Sequence, residues 1–217
     1  MRILLSIIFL TSFLLSIRAQ SSMLGLMPSV TMSAKLKNDW KLITKLEERS
    51  FLHFGNDQFD ISHHLLDLNT FISKKVGLNV SLATGLQLRY KDKGLISSLA
   101  QQLTAKDKYG RYDVSHRFGA DIVLFDGQDY KARGRYRFAG LIPFSGLTID
   151  VLEWYAKPSV EGLLVFTRGA ISSEYRLALL IGKGLGEGLK LEVGPEFRQK
   201  IKDDSLLWSK VSLYKSF

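Results

Sequence analysis

The sequence predicts an all-β protein, a single antiparallel, up-and-down transmembrane β-barrel of about 10–12 strands. Three observations support this prediction. Apolar and polar residues alternate in runs of about ten residues that are separated by turn residues. Aromatic residues lie towards the ends of the apolar faces, and the N-terminus resembles an export signal. Alternation alone does not show which face is inside, because half-buried strands of soluble sheets and barrels alternate as well.

The first residues have the composition of a secretory signal peptide. Met1 and Arg2 precede a mostly apolar run of roughly 15 residues, which is short of the ~20 that a helix needs to cross a bilayer. We expect residues 1–19 to be a cleaved signal peptide and residues 20–217 to form one barrel domain. Because Ile17 is bulkier than the residue preferred near a cleavage site, an uncleaved N-terminal anchor is the alternative.

Composition excludes several classes of site. The 217 residues include no cysteine, so disulfides, an acylated N-terminal cysteine and cysteine-type zinc sites are excluded. The net charge is +9, of which Arg2 and Arg18 in the leader contribute two. A basic balance is compatible with nucleic acid, an anionic surface or a cationic interior, and export argues against nucleic acid.

The alternating runs can be followed along the first half of the chain. The first run, over 24–36, ends at the turn Lys37-Asn38-Asp39, and the next begins at Trp40. The following run, over 63–73, places His63 and Asp67 together on its polar face, and the clearest alternation covers 78–90. The polar stretch 91–110 breaks the pattern, and we expect a long loop there with a helical turn over its apolar residues.

The second half contains the most informative segment, residues 130–138. Alternation resumes over 112–124, and Asp126-Gly127 predicts a tight turn before that segment. Every second residue of it is a cation, and the residues between are aromatic or small, so a strand here has one cationic face and one apolar face. The four cations are Lys131, Arg133, Arg135 and Arg137.

The remaining runs leave the number of strands open. They cover 147–154, 158–166, 175–181, 189–198 and 207–217, with a glycine-rich turn expected at 182–188. The total is about eleven runs, whereas single-chain bacterial barrels have even strand numbers, so ten and twelve strands are both open.

The order of these pieces resembles the domain-of-unknown-function 2490 family of bacterial outer-membrane-type proteins, common in Bacteroidetes. The resembling features are Trp40 after an Asn-Asp turn, the strand His116-Arg117-Phe118, the arginine-rich strand after Asp126-Gly127, the segment 157–161 and the last strand-turn-strand. They extend over most of the chain after the leader. The resemblance implies a β-barrel at the cell outer membrane and no established activity. The stretch 141–154 departs from the fuller hairpin of the family.

In such a barrel the charged faces line the interior and the aromatic ends of strands contact the lipid interface. The candidate lumen-lining residues are Arg89, Arg117, Asp121, Lys131, Arg133, Arg135, Arg137, Glu161, Arg176, Glu192 and Arg198. The candidate lipid-interface aromatics are Trp40, Tyr90, Tyr130, Trp154, Tyr175 and Phe217. Phe217 closes an alternating strand and resembles the C-terminal signal of the barrel assembly machinery. The expected partners are therefore outer-membrane lipid and that machinery.

Three functions fit these residues. The interior is a filled, salt-bridged lumen, because buried charges must be paired, or it is a narrow channel for small anionic solutes. The third is an outer-membrane hydrolase or acyltransferase that uses His63, His64 or His116 with Ser62, Asp67 or Ser115. The residues show no metal-ligand spacing, phosphate loop or nucleotide fingerprint, so we expect no enzyme and no cofactor.

Overall fold

The structure is a computed structural model that describes residues 23–54, 59–91, 94–124, 131–201 and 205–217. These residues form eleven strands in one closed barrel. The strands are β1 (Met23–Lys35), β2 (Trp40–Phe54), β3 (Phe59–Lys75), β4 (Val80–Lys91), β5 (Gly94–Tyr109), β6 (Tyr112–Leu124), β7 (Lys131–Pro143), β8 (Trp154–Thr167), β9 (Ala170–Gly186), β10 (Leu189–Lys200) and β11 (Ser205–Ser216). No helix among the described residues is long and apolar enough to cross a bilayer.

Each strand pairs antiparallel with the next along the chain, and the barrel closes between β1 and β11. This closing pair is parallel, with register from Met23 opposite Leu206 to Ser33 opposite Ser216. The predicted all-β barrel is confirmed, but the even strand number was wrong, since the described residues form eleven strands. With an odd number of up-and-down strands, the first and last strands run in the same direction and can only pair in parallel.

The apolar face of the strands is the outer face of the barrel. In β1, Met27 and Ser29 are buried, whereas Leu26 before them and Val30 after them are exposed. Charged side chains meet across strands that are not neighbours, as where Lys157 on β8 reaches Glu192 on β10. Such contacts are made only inside a closed barrel, so the polar face points inward.

Three local predictions were wrong. Residues 94–109 form β5 instead of a loop, because its inner face carries Ser98, Ala100 and other small or polar residues and its two faces differ little in polarity. Residues 144–153 form a loop rather than a strand. The glycine-rich segment belongs to β9 up to Gly186, so the turn is shorter than expected.

Glycine on one strand makes room for an aromatic ring on its neighbour in the interior. A side chain at Gly182 on β9 would clash with the ring of Tyr155 on β8, and one at Gly25 on β1 would clash with Trp208 on β11. Tyr155 is fully buried and Trp208 is 2% exposed. Part of the barrel interior is therefore a packed core and not open space.

The turn after β1 has the chemistry that a tight hairpin demands. Asn38 and Asp39 have φ values of 58° and 62°, a left-handed conformation that these two residue types tolerate better than most. The predicted turn at this position is confirmed. The signal peptide and the Asp126-Gly127 turn lie outside the described residues and stay predictions.

Candidate functional site

The charged interior is the candidate functional site, and its first cluster surrounds Asp121 on β6. The carboxylate of Asp121 is buried and forms ion pairs with Arg133 and, at 3.2 Å, with Arg135, both from β7. The two arginines share the inward face of their strand and so reach the same acid. Arg133 Nη2 also lies 3.4 Å from Gln87 Oε1 on β4, across the interior.

A second cluster surrounds Asp67 on β3. Arg89 Nε and Nη2 on β4 donate to its two carboxylate oxygens at 2.6 and 2.8 Å, the bidentate geometry that a guanidinium favours. Arg49 Nη2 approaches the same carboxylate at 3.3 Å and also pairs with Glu47, which in turn pairs with Lys45. The cluster joins three adjacent strands.

The opposite side of the interior holds two more clusters. Arg176 pairs with Glu161 at 2.9 Å and with Glu174 at 2.6 Å. Glu196 accepts from Arg198 Nε at 2.7 Å and from Lys210 Nζ at 3.1 Å, and all three side chains are buried. These groups pair with one another, as buried charges require.

The last cluster surrounds Glu192, which is 2% exposed. Lys157 Nζ donates to both of its oxygens, at 2.7 and 2.9 Å, and the Tyr155 hydroxyl donates at 3.0 Å. Lys157 also lies over the ring of Tyr214, 4.8 Å from its centroid. The cluster ties β8 to β10 and β11 through side chains alone.

The cations of β7 are only partly neutralised. Arg133 and Arg135 share Asp121, whereas Arg137 donates to the Ser159 hydroxyl at 3.0 Å. Within the described residues, neither Lys131 nor Arg137 has a carboxylate at ion-pair distance, and Arg117 has none either. The interior therefore carries more positive charge than its acids balance.

A cavity of about 70 Å³ lies among these charges. It has room for a few water molecules. Its lining residues are Asp67, Asn69, Gln87, Arg89, Ile96, Ser98, Val123, Lys131 and Arg133.

All eleven predicted lumen-lining residues are on the inward faces of their strands. Asp121, Glu161, Glu192 and Arg198 are buried, Arg117 is exposed, and the other six are half-buried. The prediction assigned no interior role to Tyr155, Trp208 or Lys157. The signal for the two rings is the glycine opposite each of them, which only the strand register reveals.

The five predicted interface aromatics that the structure describes are exposed and lie in two groups at opposite ends of the barrel. Trp40, Trp154 and Phe217 are at the end where β1 finishes, which we call the Lys35 end. Tyr90 and Tyr175 are at the other, the Met23 end.

Lysines accompany the two tryptophans. Lys74 lies 5.1 Å from the ring centroid of Trp40, and Lys183 lies 5.0 Å from that of Trp154. Tyr130 lies outside the described residues, and recognition of Phe217 by an assembly machinery stays a prediction.

The serine and histidine candidates do not form the arrangements that the sequence suggested. A bulge between β2 and β3 changes the faces of the residues before Leu65, so His63 is exposed and lies 3.3 Å from Glu48, away from Asp67. The ring of His64 lies tilted against the ring of Phe51, with 4.5 Å between the ring centroids. His116 bonds the Tyr136 hydroxyl at 2.9 Å on the outer face.

One serine–histidine pair was missed by sequence reasoning. His53 Nε2 and Ser62 Oγ lie 2.8 Å apart, on β2 and β3 near the Met23 end. The two residues are nine positions apart in sequence and meet only because their strands form a hairpin. Such a distance is within the range of a nucleophile and its base.

Glu153 in the loop 144–153 accepts hydrogen bonds that shift its pKa. The backbone N–H of Asp150 and then the Ser145 hydroxyl donate to Glu153 and lower the pKa of that carboxyl.

The described residues contain no group of three or more histidine or acidic side chains able to hold a metal ion.

Comparison with known proteins gives one match. The family model described as "Protein of unknown function (DUF2490)" matches residues 25–204, which include most of β1 and all of β2 to β10. The resemblance drawn from Trp40, the arginine-rich strand and the later segments is thereby confirmed. No curated protein and no solved structure matches the chain.

Proposed function

We propose that the chain, which belongs to the DUF2490 family, is an outer-membrane β-barrel whose interior is closed by ion pairs and packed rings. The observation that carries the proposal is the inversion of the usual globular arrangement, with exposed leucines, valines and aromatics outside and charged clusters inside. In water, so large an apolar surface would drive association. In a bilayer it contacts hydrocarbon.

The dimensions and the rims of the barrel support this placement. The strands have 12 to 17 residues, and a tilted strand needs about 9–11 to cross the hydrocarbon core. The exposed aromatics fall at the two ends, with lysines beside Trp40 and Trp154. Such an aromatic belt with neighbouring cations suits the water–lipid boundary. The signal peptide expected at residues 1–19 would provide the export that this location requires.

The interior supports closure rather than passage. Tyr155, Trp208 and Met27 are almost fully buried inside the barrel. The ion-pair clusters join strands on both sides of the lumen, and glycines opposite Tyr155 and Trp208 let these two rings fill part of it. We infer that the interior holds the strands in register and passes no solute in this conformation.

Fractionation of cells that express the full chain tests the placement. We expect the protein in the outer-membrane fraction, with a mobility on SDS gels that changes on heating because the barrel stays folded until it is boiled. Recovery as a soluble periplasmic protein would contradict the proposal.

Conductance in planar bilayers distinguishes closure from passage. We expect no discrete current steps from the purified barrel. Anion-selective steps that are lost after charge reversal at Arg133 and Arg135 would instead support a channel for small anions, because those two residues and Asp121 dominate one side of the lumen.

The hydrolase alternative is favoured by one distance, that between His53 and Ser62. Hydrolysis of ester or phospholipid substrates by the purified protein, abolished by Ser62→Ala and by His53→Ala, would support it. His116→Ala is the matched control, because His116 bonds a tyrosine on the outer face. Equal activity in all four proteins would indicate a contaminating enzyme.

A further inference from the structure

Two arginines face each other in the interior with no carboxylate between them. Arg117 on β6 and Arg137 on β7 are direct register partners and both are on inward faces. Like charges placed directly opposite destabilise a strand pair. Arg137 donates to Ser159, and within the described part of the chain Arg117 makes no hydrogen bond or ion pair.

The other interior arginines differ, because each described one has a carboxylate partner. They are Arg49, Arg89, Arg133, Arg135, Arg176 and Arg198. The acids near the Arg117–Arg137 pair are already engaged. Glu161, the register partner of Arg137, pairs with Arg176, and Glu192 pairs with Lys157.

The charge balance of the interior also leaves the Arg117–Arg137 pair without an acid. The described interior contains seven buried carboxylates. Nine cations form ion pairs with them before Arg117 and Arg137 are counted: Lys45, Arg49, Arg89, Arg133, Arg135, Lys157, Arg176, Arg198 and Lys210. No rearrangement of the existing acids can therefore neutralise the pair without leaving another cation unpaired.

Water and small solutes can reach this pair. Arg117 is exposed although it faces the interior. Several inward residues around it towards the Lys35 end are small, among them Ser81, Ala83 and Ser115, and we call this part of the interior the open side. Lys106, the register partner of Ser115, adds a further cation there. Arg135 lies opposite Gly119, and its guanidinium pairs with Asp121.

We infer that Arg117 and Arg137 form a binding site for a small oxyanion, a carboxylate or phosphate group that supplies the missing negative charge. Guanidinium groups are suited to this, because their planar N–H donors match the paired oxygens of such anions. The site rests on the interior geometry and does not require that the barrel conduct ions.

Thermal unfolding of the full-length barrel in detergent, followed by tryptophan fluorescence, tests the inference. Inorganic phosphate and acetate are each compared with chloride at equal ionic strength. We expect a saturable rise of the unfolding temperature with phosphate or acetate. Arg117→Gln and Arg137→Gln should each weaken the apparent affinity by about tenfold or more, since each removes a charged hydrogen-bond donor.

Lys131→Gln is the matched control. It removes one interior cation from the same strand at the Met23 end, where the nearest acid already has two arginine partners. The anion dependence should persist in this variant. If the three variants lose it equally, the effect arises from general interior charge and the proposed site does not exist.

Arg117→Glu provides a second, independent measurement. A carboxylate at this position supplies the counter-charge to Arg137 from the chain itself. We expect it to raise the unfolding temperature in anion-free buffer and to abolish the response to phosphate. A variant that is less stable than the parent and still responds to phosphate would overturn the inference.

A lipid headgroup could supply the same phosphate chemistry. Phosphatidylglycerol added to the micelles in place of inorganic phosphate distinguishes the two sources. Because the site opens to water inside the barrel, we expect the free anion to act and the lipid to have no effect. A response to the lipid alone would place the anion on the outer surface and contradict the interior site.

Discussion

The two sides of the barrel interior are built differently. One side, which we call the packed side, is filled by Met27, Tyr155, Leu180, Trp208 and Ser212 from β1, β8, β9 and β11, all of them almost fully buried. On the open side, towards the Lys35 end of β4 to β6, the inward residues include Ser81, Ala83 and Ser115, and Arg117 is exposed.

The same alternating pattern produces both sides. Inward residues of the packed side are long and meet partners two strands away, such as Tyr155 and Glu192. Small inward residues of the open side, such as Ser81, Ala83 and Ser115, are too short to cross the interior. The contrast teaches that the outer faces of a barrel can be uniform while its interior combines a tightly packed core with a region where a charged side chain stays exposed.

Truncation on the packed side should have the largest effect. Tyr155→Ala removes a fully buried ring and its hydroxyl bond to Glu192, and should lower the free energy of unfolding by about 3–5 kcal/mol. Tyr155→Phe keeps the ring and should cost only about 1 kcal/mol. Denaturant unfolding in detergent measures both. Equal losses for the two variants would show that the ring is not part of a packed core.

The second largest effect is expected from removing a carboxylate that two cations share. Glu196→Gln leaves Arg198 and Lys210 buried without their counter-charge and should cost about 3 kcal/mol. Glu153→Gln in the exposed loop 144–153 is the control and should leave the unfolding midpoint almost unchanged. A midpoint shift in the control as large as that of Glu196→Gln would indicate that total charge matters more than pairing.

The smallest effect provides the most direct comparison of the two sides. Ser212→Leu places a larger side chain where no space exists, beside Ser29 at 2.8 Å, and should cost about 1–3 kcal/mol. Ser115→Leu on the open side should cost less than about 0.5 kcal/mol. Thermal unfolding of the pair under identical conditions measures the difference. Similar losses would remove the distinction between a packed and an open side.

Most strands could be predicted from alternation, and the exceptions have physical causes. β5 was missed because small residues such as Ala100 face the interior, so its two faces differ little in polarity. His63 was assigned to the wrong face because a bulge adds one residue between it and Leu65, and one residue reverses every side chain before it.

The candidate site was predictable residue by residue but not pair by pair. Alternation placed Arg133, Arg135 and Arg137 on one face. Asp121 forms ion pairs with the first two, whereas Arg137 donates to the Ser159 hydroxyl. Partner choice depends on register and on the reach of each side chain across the lumen. The His53–Ser62 contact was not predicted for the same reason, since it exists only in the paired hairpin.

The segment from Lys131 to Arg137 illustrates what each level decides. Its sequence alone determined a strand with one cationic and one apolar face, because successive side chains of a strand point to opposite sides. The tertiary structure decided that the cationic face is the inner one and that eleven strands close through a parallel pair. It also decided which cations form an ion pair with a carboxylate. These outcomes depend on strands distant in sequence, and local alternation carries no information about them.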